Sequence, residues 1–277
     1  MKKALFLGSF DGLHKGHRAV LSVDDADFKI AVTFKIPPKA ALTKSPSLIM
    51  SLQDKCEALK KIGIDEVLVL DFLEVKDIEA LSFLNFLKES FSPTLISCGF
   101  NYRFGKDGKG DTALLERFCL ENGIKFVCAK PVNFDGKLVS STLLREYLKN
   151  GDIKKANSLL FEPFSFYGEV KSGDKRGRTI GFPTVNIKYP DDLVRIKFGV
   201  YKSRVLIDGK LYDGISNIGI RPTFETDYIA SETFIKDFSG DLYGKELRIF
   251  PNCFLREEKK FSSIQELKTQ IETDLNA

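Results

Sequence analysis

Residues 3–7, 29–34, 66–70, 94–98 and 125–128 are short apolar runs, with room for a helix between each pair. Runs that are apolar throughout, rather than alternating, suit strands buried on both faces. The stretches between them repeat apolar residues at helical spacing. Residues 52–62 put Leu52, Cys56 and Leu59 on one face, residues 78–91 carry Leu81, Leu84, Phe86 and Leu87, and residues 111–122 stop at Gly123. This alternation predicts an α/β domain with a doubly wound parallel sheet and right-handed crossovers. A helix over 141–160 is expected to close it.

After Phe161-Glu162-Pro163 the pattern changes. Short β-rich runs follow at 164–170, 184–188, 199–207, 210–217, 231–237 and 246–253. Asp208-Gly209 lies between two alternating runs, a strong hairpin signal, and Ser239-Gly240-Asp241 reads as a second one. The spacing predicts an antiparallel β-barrel or sandwich. A C-terminal helix over 262–275 follows, capped by Ser262 and Ser263 with Glu266 placed for a capping box. A chain of 277 residues has room for two such domains, expected at 1–160 and 161–277.

Composition narrows the partners. A net charge of +4 is too weak to imply nucleic acid, although it suits anionic ligands. No apolar run approaches the roughly 20 residues that span a bilayer, so no membrane partner is expected. Met1-Lys2-Lys3 before an apolar run imitates a signal peptide, but the run is short and Asp11 interrupts it. The cysteines at 56, 98, 119, 128 and 253 are odd in number, scattered and without a CxxC pair. Reduced, buried thiols in a cytoplasmic protein are expected.

Three segments of the first half carry candidate chemistry. Gly8-Ser9-Phe10-Asp11-Gly12-Leu13-His14-Lys15-Gly16-His17 joins the first predicted strand to a helix start and holds both histidines of the chain. Glycines let backbone approach an anion, and a helix N-terminus offers free N–H groups and a positive dipole end. His14 and His17, three apart, share a helical face and can donate ring N–H groups to oxyanions. The other readings are a solvated turn, or half of a zinc site with Asp11, for which no cysteine lies near. Gly99-Phe100-Asn101-Tyr102-Arg103-Phe104-Gly105, continuing to Asp111, is a glycine-rich, basic and aromatic loop able to stack a ring and meet a phosphate, or an ordinary surface loop. Val139-Ser140-Ser141-Thr142-Leu143-Leu144-Arg145 opens a helix with three hydroxyls and an arginine one turn on. Those hydroxyls can cap the helix, contact polyphosphate, or do both.

In the second half, residues 173–186 combine glycines with Lys175, Arg176 and Arg178, a composition that can wrap a nucleotide tail. Thr184 and Asn186 are two apart and face one side of a strand, where their oxygens can hold Mg²⁺ among phosphate oxygens. The alternative is a basic turn followed by an edge strand.

GSFDGLHKGH, GFNYRFGKDGKGD and VSSTLLRE, in this order, resemble the adenylyltransferase module of bacterial bifunctional riboflavin kinase/FAD synthetases, part of the HxGH nucleotidylyltransferase superfamily. Residues 173–186, Asn217-Ile218-Gly219-Ile220-Arg221-Pro222-Thr223-Phe224, Leu242-Tyr243-Gly244-Lys245 and residues 255–261 resemble the riboflavin kinase module of the same family. The resemblance implies conversion of riboflavin to FMN and of FMN to FAD with ATP and Mg²⁺, the flavins being substrates and products. It assigns His14, His17 and Arg145 to catalysis in the first module. The ATP site there comprises Gly8, Ser9, Phe10, Asp11, His14, His17, Ser141, Thr142 and Arg145, and Asn101, Arg103 and Phe104 lie near flavin. In the second it assigns Gly173, Arg178, Gly181, Pro183, Thr184 and Asn186 to ATP, with Thr184 and Asn186 on the metal. Asn217, Arg221, Glu232 and Arg256 go to flavin, with Glu232 as the base.

The chemistry of the two steps differs. FMN already supplies an anionic phosphate nucleophile, so alignment and charge neutralisation suffice. Riboflavin supplies a neutral alcohol, for which a positioned carboxylate is useful. The chain departs from the family pattern at Ser9, Asn101, Leu143 and Ile36-Pro37-Pro38, and its 18–28 segment is short, so the first helix should be near minimal length. An enzyme with kinase activity alone is the alternative these departures raise, and an RNA-binding regulator using the 106–109 and 176–178 loops is the other.

Overall fold

The computed structural model describes residues 1–23, 25–43, 46–171, 184–221 and 227–276. The chain divides into two compact units, Met1–Leu144 with Leu159–Glu162, and Arg145–Ser158 with Pro163–Ala277.

The first unit is built on a parallel sheet of β1 (Lys3–Leu7), β2 (Phe28–Phe34), β3 (Glu66–Leu70), β4 (Leu95–Gly99) and β5 (Lys125–Ala129), in the order β3-β2-β1-β4-β5. Side chains alternate across it. Leu5, Leu7, Ile30, Val32 and Ile96 pack under α5 (Ala80–Phe91) and α6 (Thr112–Glu121). Ala4, Phe6, Ala31 and Leu95 pack on the other side with α1 (Lys15–Leu21) and α3 (Leu52–Lys61). Single-turn helices α2 (Pro38–Ala41) and α4 (Phe72–Val75) follow β2 and β3, and a small hairpin, β6 (Asn133–Phe134) with β7 (Lys137–Leu138), follows β5. The doubly wound parallel sheet is as expected, and α1 has only seven residues.

Two helix faces differ from expectation. In α5 the buried residues are Ala80, Phe83, Leu84 and Leu87, whereas Leu81 and Phe86 are exposed. In α3 they are Asp54, Lys55, Ala58 and Leu59, so the polar Asp54–Lys55 pair takes the place expected for Leu52 and Cys56. The single helix expected over 141–160 is two, α7 (Ser141–Lys149) and α8 (Ile153–Leu159). Gly151 adopts φ +81°, and its N–H donates to the Leu148 carbonyl, which ends the first helix in the left-handed conformation glycine favours. The start of α7 belongs to the first unit and the rest of it, with α8 up to Ser158, to the second.

The second unit holds a closed antiparallel barrel of β8 (Phe166–Lys171), β9 (Thr184–Lys188), β10 (Gly199–Ile207), β11 (Lys210–Arg221), β12 (Tyr228–Ile235) and β13 (Glu246–Arg256). The strand order is β10-β11-β12-β9-β8-β13, closing on itself. Asp208 and Gly209, at φ 47° and 80°, form the hairpin turn between β10 and β11, as their sequence predicts. Ser239-Gly240-Asp241 does not make a hairpin, because β12 pairs with β11 and β9 while β13 pairs with β10 and β8. Helix α9 (Ile264–Asn276) follows the barrel. Its Ser263 hydroxyl accepts the Glu266 N–H at 3.2 Å and the Glu266 carboxylate accepts from Ser262, completing the expected cap.

Candidate active site

In an open parallel sheet, ligands bind outside the carboxyl ends of strands where the winding reverses. Here that point lies between β1 and β4. The loop after β1 runs through Phe10 at φ 48°, Gly12 at 86° and Leu13 at 31°, conformations that non-glycine residues adopt only when the surroundings impose them. The Phe10 ring is fully buried beneath Gly8, where a Cβ would come within 2.9 Å of it. Gly8 and Phe10 therefore offer backbone rather than side chains at this loop.

His14 caps α1. Its Nδ1 accepts the His17 N–H, and Nδ1 of His17 accepts the His14 N–H, each at 3.3 Å. The rings stack with centroids 3.7 Å apart, and Phe10 meets His17 edge-on at 5.3 Å. A nitrogen that accepts an N–H carries no proton, so each neutral ring bears its hydrogen on Nε2. Burial, followed by the neighbouring His14 and Lys55, holds the His17 pKa well below the ordinary histidine value. The pair therefore presents two uncharged Nε2–H donors at the helix start.

The loop is fixed from several sides. The Asp11 carboxylate is buried and accepts the Ile49 N–H at 2.9 Å, so it braces the loop. No group of three or more His, Cys, Asp or Glu side chains among the described residues is arranged to hold a metal. Thr33 at the end of β2 donates its hydroxyl to the Ser9 carbonyl at 2.9 Å. Lys55, only 3% exposed, donates to the Phe34 carbonyl at 2.6 Å and the Ser9 carbonyl at 3.3 Å. Burial pushes its pKa down to about 8, against the opposing attraction of Asp11.

The three hydroxyls that open α7 divide their work. Ser140 accepts the Leu143 N–H at 3.3 Å and is the cap. Ser141 donates to the Asp11 carbonyl at 2.8 Å and so ties the helix start to the loop. Thr142 is exposed. Arg145 follows Ser141 by one turn on the same helix, in its second-unit part. The loop after β4 is a folded hairpin: Phe104 and Gly110 pair as a bridge, and the Phe104 ring is buried against Phe83 and Tyr102. Asn101 and Arg103 remain on its surface, Arg103 lying 3.6 Å from the Asp111 carboxylate.

In the barrel, three adjacent strands set Asn217 on β11 opposite Glu232 on β12, and Glu232 opposite Asn186 on β9. Arg221 bridges them, its Nη1 2.8 Å from Asn186 Oδ1 and 3.1 Å from Glu232 Oε1. Asn217 donates through Nδ2 to Glu258 at 2.8 Å, while its Oδ1 is buried with no hydrogen-bond partner. Thr184, on the same side of β9 as Asn186, lines a cleft with Val170, Ile235, Phe238, Leu242 and Tyr243. Arg256 does something different. It forms a two-pronged pair with the buried Asp274 of α9, at 2.8–3.2 Å, and lies over the Phe261 ring. The candidates Gly173, Arg178, Gly181 and Pro183 lie outside the described residues.

Sequence reasoning missed Lys55, Thr33 and Glu258. A lysine three residues before Ala58 and four before Leu59, on the buried side of its helix, is the signal that points to the first.

Parallel sheet, helix-capping histidine pair and closed barrel define a two-module transferase of phosphate-bearing groups. Residues 1–143 match the FAD synthetase family, and residues 160–277 match the riboflavin kinase family. The bifunctional riboflavin kinase/FMN adenylyltransferase of Listeria monocytogenes is 33% identical over 285 residues, spanning 99% of this chain and 90% of the relative. Its Bacillus subtilis counterpart is also 33% identical, over 288 residues and the same shares. A crystal structure described as a macrolide-efflux protein from Streptococcus pneumoniae superposes with a TM-score of 0.90 at 29% identity, covering 99% of this chain and 93% of that one. No helix among the described residues is long and apolar enough to cross a membrane. The chain belongs to the bifunctional riboflavin kinase/FMN adenylyltransferase family.

Proposed function

We propose that the chain phosphorylates riboflavin to FMN in a kinase domain, 161–277, and adenylylates FMN to FAD in a domain formed by residues 1–160. The observation that carries this reading is that each module brings together its own set of the candidate polar groups. One set is the stacked His14–His17 pair at the sheet's switch point, and the other is the Asn186–Glu232–Asn217 row on the barrel.

In adenylylation an FMN phosphate oxygen attacks the α-phosphorus of ATP, and the bond to the departing pyrophosphate breaks. The two Nε2–H donors and the N–H groups that open α1 offset the charge that builds on those phosphates, a role to which the family resemblance adds Arg145. Ser141 keeps the start of α7 on the loop, Thr142 faces solvent beside it, and the polar groups of Asn101 and Arg103 serve the flavin side. Phe104 shapes that loop from inside the core.

In the kinase step the primary hydroxyl of the ribityl chain attacks the γ-phosphorus, its proton passes to Glu232, and ADP leaves. The orphaned Oδ1 of Asn217 is suited to accept a flavin hydroxyl, since a buried acceptor without a partner is otherwise unfavourable. Thr184 and Asn186 supply hard oxygens that would join the ATP phosphates around Mg²⁺, and Asn186 Oδ1 keeps a second lone pair beside its bond from Arg221. Bound there with ATP, Mg²⁺ would neutralise triphosphate charge. The cleft beside Thr184, which mixes apolar side chains with polar ones, suits the nucleotide base. Arg256 acts on the flavin side through the position it gives α9. All five cysteines are free thiols, which suits a cytoplasmic setting, but burial holds only for Cys98 and Cys119, since Cys128 is exposed and Cys56 and Cys253 are partly exposed.

The test is incubation of the full chain with riboflavin, ATP and Mg²⁺, with products separated by chromatography. FMN followed by FAD is expected. FMN alone would establish the kinase-only alternative, and neither product would overturn the reading.

A further inference from the structure

We propose that Lys55 is a positioning residue of the adenylyltransferase site, fastening the Ser9 turn to the end of β2 and placing a positive charge beneath the anion-binding loop. This rests on the reading of the loop after β1 as the phosphate site.

The geometry is specific. A lysine on α3 reaches through the protein interior so that its ammonium bridges two backbone carbonyls, Phe34 at 2.6 Å and Ser9 at 3.3 Å. Those carbonyls end β2 and open the loop, the two backbone segments that border the candidate site. Thr33 makes a parallel bond to the same Ser9 carbonyl, so two neighbouring side chains hold one turn. A clamp alone does not require a charge, because hydroxyls and amides do the same work without the desolvation penalty of a buried cation. The charge finds its use when an anion arrives above the loop.

The groups around Lys55 fix the direction of any pH effect. The loop and helix after β1 contribute Asp11, which favours the ammonium, and the neutral histidine pair, of which His17 is itself held uncharged partly by Lys55. Its own helix contributes Cys56 and Asp54, the latter bonded to Ser51 at 2.9 Å. At this end β2 offers the Phe34 carbonyl and the Thr33 hydroxyl, while β3 has its one charged residue, Glu66, at the far end. Burial leaves the ammonium with a pKa of about 8, so it sheds its proton within reach of ordinary assay conditions. A neutral amine still donates to the Phe34 carbonyl. Deprotonation therefore removes the charge and leaves the clamp.

This separation makes the inference testable. The kcat/KM of FMN adenylylation for ATP reports groups of the free enzyme. Measured on the full chain from about pH 7 to pH 10, where the phosphates of both substrates are ionised, it should fall on the order of tenfold through the lysine titration. Lys55→Met, which lacks both the charge and the clamp, should lie at or below the lower level at every pH and lose the fall, and Lys55→Arg should hold its activity above pH 8. A wild-type profile that stays flat overturns the proposal, as does a Lys55→Met profile that keeps the wild-type fall. Should Lys55→Met melt below assay temperature, Lys55→Arg decides: a flat profile supports the charge, and a fall like the wild type's refutes it. Loss of adenylylation in His17→Ala alongside an unaltered Lys55→Met would retire this inference alone, whereas persistence in His17→Ala would retire the site.

Discussion

Nδ1 of His14 and Nδ1 of His17 each accept the other residue's backbone N–H, so the two rings cap one helix start together. The arrangement fixes both tautomers and requires the rings to stay neutral. Protonation of either would break a capping bond and place a cation in a buried, ring-stacked position.

His17 is therefore expected to stay uncharged through the usual histidine range. Its depressed pKa means the proton arrives only at a pH well below 6.5. Proton NMR of the imidazole C–H resonances should show no titration of His17 between about pH 6 and pH 7.5. A midpoint inside that range would contradict the capping arrangement.

Ser141 donates to the Asp11 carbonyl across 130 residues of sequence. Removing one such bond is worth about 1 kcal/mol, roughly fivefold in an equilibrium. Ser141→Ala should lower FMN adenylylation by about that factor and leave the kinase step unaltered. Equal rates in variant and wild type would show that the tether is idle.

Arg256 and Asp274 form a pair in which Asp274 is almost wholly buried. Asp274→Ala leaves the guanidinium without its partner and should destabilise the kinase module by about 3 kcal/mol in urea unfolding. A loss below about 1 kcal/mol would place the pair with exposed salt bridges.

Lys55 also makes a prediction for stability. Its pKa is about 8 folded against 10.5 for the ordinary group, so between those values the unfolded chain binds more protons. Stability of the first module then rises with pH across that window, through this group. Below about pH 8 both states hold the proton and the contribution is constant. The denaturant midpoint of the wild type should rise relative to that of Lys55→Met as the pH climbs from 8 towards 10.5, and parallel curves would refute the shift.

The architecture was legible because burial on both faces leaves apolar strands such as β1, and because Asp208-Gly209 demands one turn type. Helix faces were less so. Asp54 and Lys55 look like solvent residues, and their bonds to Ser51, Ser9 and Phe34, distant in sequence for the last two, help them lie inside. The same holds for the hydroxyl trio at α7, whose separate tasks depend on which backbone group lies within reach. Arg256 carries no sequence mark of a partner eighteen residues on. The break between α7 and α8 was marked by Gly151, but the apolar repeat on either side masks it.

Two separate sites on one chain are tested most directly by mixing two inactivated variants. His17→Ala, supplied with riboflavin, ATP and Mg²⁺, should stop at FMN, while Glu232→Ala should make FAD only when FMN is added. The two variants together should restore the path from riboflavin to FAD. Loss of both steps in either folded variant, or a mixture that still yields no FAD, would contradict the account.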